Sequence, residues 1–586
     1  MSWRERFLGT EEIREVIRKL ALINAVNYDG EAQAGAVMGK LLAEKPSSRT
    51  EVKEIGPIVA EIVKEVNKLS LAKQKKIVEK NWPRALVKER VEEEKRLPKL
   101  PNAERYERVM TRFSPNPDCA IHLGNARAII LCHEYAKMYS GIFILRFEDT
   151  DPRLKRSVLI FYDMIREDLA WLGCKPDREF IQSDRIPIYY EYAEKLLRAG
   201  NAYVCTCNSE EFKEKLLVHE ACTCRDLPPE EQLVRWRKML EGGFNEGEAV
   251  VRVKTDLNHP NPAVRDWPAL RVIDPEKHPH PRVGRRYRVW PLYNLAAGID
   301  DHLMGISHII RGKEHLTNQV RQEFMYRHLG WTYPTAIHYG RLKITGAFLS
   351  KSKILAGMRE GMFKGWDDPR LATFAALRRR GIQPEAIRRM IIDVGPKTQD
   401  VTLSWDNLYA YNRKIIDQAA NRYFFVPGPV RLVVKNVLED SVARLSLHPD
   451  HPERGYREVI VKPENGQVLF NVSDSDVKLF KKGNVVRLME LFNVKIEKSA
   501  KKGIEAVYHS HGYEDARKLT APLIHWLPVE SGVPCKVVMP DASVTKGVAE
   551  QRCKELQIGD IVQFERFGFV RIDAVKEAIV AYFGHR

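Results

Sequence analysis

Apolar residues recur at three- and four-residue spacing through residues 11–30 (EEIREVIRKLALINAVNYDG) and 50–82 (TEVKEIGPIVAEIVKEVNKLSLAKQKKIVEKNW). With charges between them, this spacing predicts amphipathic helices. A densely charged run at 87–105, VKERVEEEKRLPKLPNAER, reads as a connector. Residues 1–105 are thus expected to form a helical appendage, either packed on the rest or in contact with a partner or RNA. The pattern changes at Val109. Val109, Met110, Thr111 and Phe113 lead into a Pro/Asn/Asp turn at Ser114–Asp118, a helix-periodic run at Leu123–Tyr139 and a continuous apolar strand at Ile142–Phe147. Strand, tight loop, helix and strand make a βαβ unit, whose first turn commonly holds phosphate or nucleotide.

Further along, FYDMIREDLAWLGC predicts an amphipathic helix, and a second runs from about Pro187 to Ala199. Short β-like runs between 245 and 290 (AVVRVK, ALRVID, RYRVWP) suggest an inserted α/β domain. Residues 290–330 return to helix, strand and helix; the buried strand Ser307–Ile310 ends in Arg311 and Gly312. Ligands in open α/β sheets bind beyond the carboxyl ends of strands, so Arg311 is placed to meet an anion. The pattern is helical from Met362 to about Ile415. From Arg422 it is β (RYFFVP, VRLVV, REVIV, VVRLMELFNVKIEK, CKVVM, DIVQFERFGFVRID), as in barrels or sandwiches.

At 586 residues the chain is too long for one core. It is 44% hydrophobic and 30% charged, has no run of membrane-spanning length, and starts without the apolar core of a signal peptide, so a cytoplasmic, non-membrane protein is expected. The net charge of +17 points to a polyanionic partner such as nucleic acid, the alternative being a merely basic surface. Four of the nine cysteines, Cys205, Cys207, Cys222 and Cys224, form a C-x-C-x14-C-x-C pattern. Two such knuckles suit a closed, structural Zn²⁺ site with no open position for catalysis; the alternatives are four unrelated buried thiols, or His219 replacing one cysteine.

The βαβ turn has neither G-x-G-x-x-G nor a P-loop. In their place stands His122-Leu123-Gly124-Asn125, with Gly124 allowing close approach to the backbone and His122 and Asn125 able to donate to a phosphate or purine. A second cationic segment, Tyr339–Ile344 followed by Phe348-Leu349-Ser350-Lys351-Ser352-Lys353, is suited to a transferring phosphate, or is a plain basic loop.

Taken together, His122–Asn125 and Leu349-Ser350-Lys351-Ser352 resemble the HIGH and KMSKS pair of class I aminoacyl-tRNA synthetases. Arg112-Phe113-Ser114-Pro115-Asn116-Pro117, Leu145–Asp151 (LRFEDTD) and Asp300–Gly305 (DDHLMG) resemble the glutamyl/glutaminyl subgroup, and the β-rich C-terminal part its archaeal-type glutamyl form. The sequence departs from the motifs at Asn125, at Cys119, where a glycine is usual, and at Phe348, which replaces the first KMSKS lysine. The resemblance implies a multidomain α/β plus all-β fold. Its parts would be a helical appendage (1–105), a Rossmann-like catalytic domain in two halves (106–204 and 291–340), an inserted acceptor-end-binding domain with a zinc knuckle (205–290), the KMSKS loop and a helical connecting domain (341–421), and anticodon-binding β-barrels (422–586).

It further implies ATP and Mg²⁺ as cofactors, and L-glutamate and tRNA-Glu as partners of a monomer, with tRNA-Gln a second candidate. His122, Asn125 and Lys351 would be catalytic. Pro115, His122, Gly124, Asn125, Leu342, Lys343, Ser350, Lys351 and Ser352 would bind ATP. Arg112, Ser114, Glu148, Tyr293 and Arg311 would bind glutamate, with Arg112 and Arg311 near the γ-carboxylate and Glu148 on the α-ammonium. The alternatives are a glutaminyl-tRNA synthetase and a non-catalytic RNA-binding paralogue.

Overall fold

The computed structural model describes the chain apart from residues 1–2, 28–29, 45–51, 83–95, 348–349 and 501–502. The charged connector up to Lys95, and Phe348 and Leu349 of the second motif, therefore lie outside the described residues. Two compact units, 1–94 and 95–586, divide the chain.

The first unit holds helices α1 (Trp3–Asn27), α2 (Ala34–Glu44), α3 (Val52–Asn67) and α4 (Leu71–Asn81) around a core that includes Ile17, Leu41, Ile62 and Val78. Buried Gln74 donates to the carbonyls of Gly30, Val66 and Leu69, satisfying turn groups that would otherwise be buried unpaired. The expected helices are present, and α2 is an addition.

The second unit is built on the expected βαβ unit. Strands β1 (Met110–Phe113) and β2 (Ile142–Phe147) flank helix α5 (Ala126–Met138), and β3 (Arg178–Ile181) follows helix α6 (Leu159–Trp171). The three strands are parallel in the order β1-β2-β3, with Met110 opposite Ile142 and Ile144 opposite Arg178. All six residues of β2 are buried, which is why the strand reads as a continuous apolar run rather than an alternation.

After helix α7 (Ile186–Arg198) comes a four-stranded antiparallel sheet, β4 (Ala202–Cys205), β5 (Val250–Val253), β6 (Pro268–Val272) and β7 (Val289–Pro291), with helices α8 (Ser209–Leu217) and α9 (Pro229–Leu240) between β4 and β5. The chain then returns through α10 (Tyr293–Leu303), β8 (His308–Gly312), α11 (Leu316–His328) and β9 (Thr335–Tyr339), with β8 and β9 parallel. Ser307, just before β8, donates its N–H to the Met110 carbonyl and accepts the Met110 N–H at Oγ, so β8 runs beside β1. The carboxyl ends of β1, β2 and β8 thereby open toward one place.

A short parallel pair, β10 (Leu342–Ile344) and β11 (Val401–Leu403), and helices α12 (Lys351–Arg359), α13 (Phe374–Arg379), α14 (Pro384–Val394) and α15 (Trp405–Ile416) complete this half. Beyond it lie two seven-stranded sheets. One combines Arg422–Tyr423 and Phe425–Pro427 with the five strands from Gly532–Val538 to Ile579–His585. The other, between Pro429 and Pro528, is an insertion in it, accompanied by the hairpin Ser441–Ser446 and Tyr456–Val461. The two sheets have adjoining apolar cores: Val426 of the first sheet, and Phe424 beside it, pack into the core of the second.

Candidate active site and metal centre

Five charged side chains converge at the carboxyl ends of β1, β2 and β8. Arg112, the third residue of β1, makes a two-point contact with Asp301 (Nε–Oδ1 3.0 Å, Nη2–Oδ2 3.3 Å). Arg146 on β2 donates Nη1 to the same carboxylate at 2.7 Å and Nη2 to Glu148 at 2.9 Å. Arg112, Arg146, Asp300 and Asp301 are buried; with Glu148, and with Arg185, which pairs with Asp300 at 2.8 Å, the three positive and three negative charges cancel. Burial alone would lower the Arg112 pKa, but Asp301 outweighs it and holds it raised. Burial would likewise raise Asp301, yet Arg112 and Arg146 keep that carboxyl below its ordinary range. In Glu148 burial wins over both arginines and its pKa is raised. Arg112 Nη1 makes no hydrogen bond among the described residues.

Arg311 differs. It is only 5% exposed, yet it has no carboxylate within ion-pair distance among the described residues. Its Nη1 lies 3.2 Å from Gln322 Oε1 and 3.4 Å from Tyr293 Oη, its Nη2 2.9 Å from Tyr333 Oη, and its Nε has no partner. His338, opposite Arg311 in the β8–β9 register, and His315 are pushed down to about 4 by burial and by the Arg311 charge, so both rings stay neutral. Ser114 Oγ, Asn294 Oδ1, Gln322 Nε2 and His338 Nε2 are also buried without partners. Orphaned polar atoms at this density mark a place for a polar ligand.

The turn after β1 is fixed by backbone bonds: Glu148 N–H donates to the Pro115 carbonyl and Val158 N–H to that of Pro117. His122 then caps the helix start. Its Nδ1 accepts the Gly124 N–H at 3.1 Å, and Asn125 Oδ1 accepts the His122 N–H at 3.2 Å. Both side chains are thus half spent on the cap. An accepting Nδ1 places the proton of a neutral ring on Nε2, and burial lowers the His122 pKa, favouring that neutral form. His122 Nε2–H and Asn125 Nδ2 remain as donors.

The second motif reaches the first. Ser350 occupies the N-cap of α12, and Lys351 Nζ lies 2.6 Å from Asp118 Oδ2 in the turn before His122. Ser352 is exposed. In β10, Leu342 is buried, whereas Lys343 and the neighbouring Lys313 face Asp400. Buried Arg127 on α5 donates to the carbonyls of Gly340, Gly395 and Lys397, tying the helix behind His122 to the stem of this second segment. A side chain at Gly340 would put its Cβ 2.1 Å from the Gln399 carbonyl, so this close approach requires glycine. Arg146, Asp301, Tyr333, Gln322, Asp118 and Arg127 received no role from the sequence; Arg146 and Asp301 lie in quoted motifs, but their partnership is tertiary.

Cys205, Cys207, Cys222 and Cys224 come together with all four sulfurs within 4.8 Å of one another. The Cys205–Cys222 and Cys207–Cys224 separations are 3.9 and 3.8 Å. A tetrahedron with Zn–S of about 2.3 Å has edges of about 3.8 Å, so the residues fit the metal. The contact with Cys222, and then burial, raise the Cys205 thiol, and the same contact lowers that of Cys222. Arg235 Nη1 donates to Cys224 Sγ at 3.3 Å and offsets thiolate charge. His219 is turned to the Leu257 carbonyl (Nδ1–O 2.9 Å) rather than to the sulfurs.

Family comparison agrees with this architecture. The catalytic-domain model of "tRNA synthetases class I (E and Q)" matches residues 108–418, and two anticodon-binding-domain models of the same family match 420–511 and 523–573. The chain belongs to this family. Proteins named glutamate–tRNA ligase from Pyrococcus furiosus and Thermococcus kodakarensis are each 54% identical to it over 582 residues, 98% of this chain and 100% of theirs. That of Pyrococcus abyssi is 54% identical over 581 residues, with the same coverage. A synthetase of this class uses ATP with Mg²⁺, and the four-cysteine cluster is compatible with zinc. Among the described residues no helix is long and apolar enough to cross a membrane.

Proposed function

We propose that the chain is a glutamate–tRNA ligase, activating L-glutamate with ATP and esterifying it to the 3′ end of tRNA-Glu. Arg311 carries the choice of amino acid. A buried cation without a protein anion is costly, and the γ-carboxylate of glutamate neutralises it, whereas the neutral amide of glutamine leaves it unpaired. Arg112 Nη1 shares that carboxylate, Glu148 takes the α-ammonium, and Tyr293 and Ser114 add hydroxyls.

In the first step an α-carboxylate oxygen attacks the α-phosphorus, and the bond to the bridging oxygen breaks to release pyrophosphate. Alignment and charge stabilisation suffice for such a transfer. His122 Nε2–H and Asn125 donate to the phosphorus centre's oxygens at the helix start. Pro115, Gly124, Leu342 and Lys343 bound the nucleotide. Lys351, with Ser350 and Ser352, meets the β- and γ-phosphates, where a bound Mg²⁺ would offset further charge. In the second step the terminal ribose hydroxyl of tRNA attacks the mixed-anhydride carbonyl, and AMP leaves.

Cys205, Cys207, Cys222 and Cys224 hold a structural Zn²⁺ in the inserted domain, which receives the acceptor end. The seven-stranded sheets read the anticodon. The protein acts in the cytoplasm as a monomer, divided into the domains given from sequence, and tRNA-Gln is a second substrate to test.

The deciding experiment is Arg311→Cys, assayed by glutamate-dependent pyrophosphate exchange with tRNA present. A loss of about 10²–10³-fold in kcat/KM for glutamate is expected. Any fall in Tm should be small beside the loss of activity, because the arginine gives up hydrogen bonds to Gln322, Tyr293 and Tyr333 but no ion pair among the described residues. Retained glutamate turnover in the folded variant would overturn the assignment.

A further inference from the structure

The two segments that frame the phosphate side of the site already meet through opposite charges. Lys351 Nζ and Asp118 Oδ2 are 2.6 Å apart, with the lysine side chain 34% and the aspartate 12% exposed. Asp118 lies in the tight turn between β1 and His122, where its N–H donates to the Asn116 carbonyl at 2.9 Å. Lys351 opens α12. Among the described residues no other carboxylate pairs with Lys351. Cys119, next in the chain, does not neutralise the lysine either: burial, and then the Asp118 carboxylate, push its thiol up to about 12.

An ammonium that must meet a triphosphate is therefore paired with a carboxylate of the loop that will receive the same triphosphate. We propose that Asp118 is a positioning residue, a stand-in anion that keeps Lys351 over the first loop until ATP takes the lysine over. The inference rests on the reading that Lys351 meets the ATP phosphates. The exchange is favourable because a polyphosphate offers the ammonium more negative charge, on several oxygens, than one carboxylate. It also has a measurable penalty, since ATP must break an existing pair before making its own. Asp118 therefore opposes ATP binding while it sets the position of the lysine. Its partner, one-third exposed, limits that opposition to the size of an ordinary partly exposed ion pair.

The test is calorimetric titration of the full chain with Mg·ATP, comparing wild type, Asp118→Asn, Asp118→Ser, Lys351→Met and the Asp118→Asn/Lys351→Met double variant. Asp118→Asn is expected to lower the Kd for Mg·ATP by about fivefold. The gain should shrink at about 1 M salt and be absent in the Lys351→Met background. In acylation assays the KM for ATP should fall by the same factor while the KM for glutamate stays constant, a split that a structural defect would not produce. Asp118→Ser repeats the measurement if the asparagine variant does not fold. Unchanged or weaker ATP binding in the folded Asp118 variants, or an equal gain without Lys351, overturns the stand-in role. Undiminished ATP binding by Lys351→Met instead overturns the reading on which it rests.

Discussion

Arg311 and Asp168 are both buried ionisable residues, and the fold treats them in opposite ways. Arg311 is set among neutral hydroxyls and amides, where the proposed substrate would bring the carboxylate. Asp168, 2% exposed on α6, accepts from Arg378 Nη2 at 2.9 Å, but its other oxygen has no partner. Burial dominates over Arg378 and pushes the carboxyl up to about 7, from an ordinary value of 3.8. A carboxyl whose folded pKa is raised adds stability below its unfolded pKa, and that stability is lost as pH rises through the folded one. Wild-type Tm should therefore fall, relative to Asp168→Asn, between about pH 4 and 8. Parallel melting curves for the two proteins across that window would disprove it. Neither environment is visible in a linear sequence. Arg112, Glu148, His122 and Arg311 were legible because each lies in a local motif or at a strand end. Asp118 and Asp301 take their meaning from partners far along the chain, and no periodicity reports on such pairs.

At the scale of elements, legibility followed burial on both faces. β2 reads from Ile142 to Phe147, as it is observed, because every residue in it is inside. The strand Ser441–Ser446 alternates exposed and buried positions with serines at both ends, and was not among the runs read as β. Helix α2, AGAVMGKLLAE, lies inside the expected helical appendage but not in either of its periodic runs, because two glycines dilute its helical signal. The cysteine knuckles are the opposite case: spacing alone located them, and the end of β4 together with the loop at 222–224 brings the sulfurs to within zinc-binding distances. Protein refolded with zinc should retain the metal at one ion per chain, and Cys222→Ser should lose it with a fall in Tm, measured by metal analysis and thermal melting. Metal-free wild-type protein after such refolding would rule the site out.

At the scale of the molecule, residues 1–94 are nearly balanced in charge, so most of the +17 belongs to 95–586, the part that matches the synthetase domains. A polyanion as large as tRNA accounts for an excess of that sign. The order of the β-rich part has a consequence in time. The sheet begun by Arg422–Tyr423 and Phe425–Pro427 gains its other strands only after residues 429–528 have been synthesised. Its last strand, Ile579–His585, is also held from the catalytic side: Arg380, just after α13, donates Nη2 to the Gly584 carbonyl at 2.9 Å, and Asn412 Nδ2 on α15 lies 3.0 Å from His585 Nε2. The inserted sheet can thus mature on the ribosome while the surrounding one waits. A nascent chain arrested after residue 528 should show amide protection within 430–527, and at Arg422, whose N–H donates to the Leu447 carbonyl of the insertion, but none at 423–427, read by hydrogen exchange. Early protection at 423–427 would refute that order. The coupling between the catalytic domain and the anticodon-binding sheets is then a late product of translation, and a chain cut short inside the insertion would lack the rigid link between them.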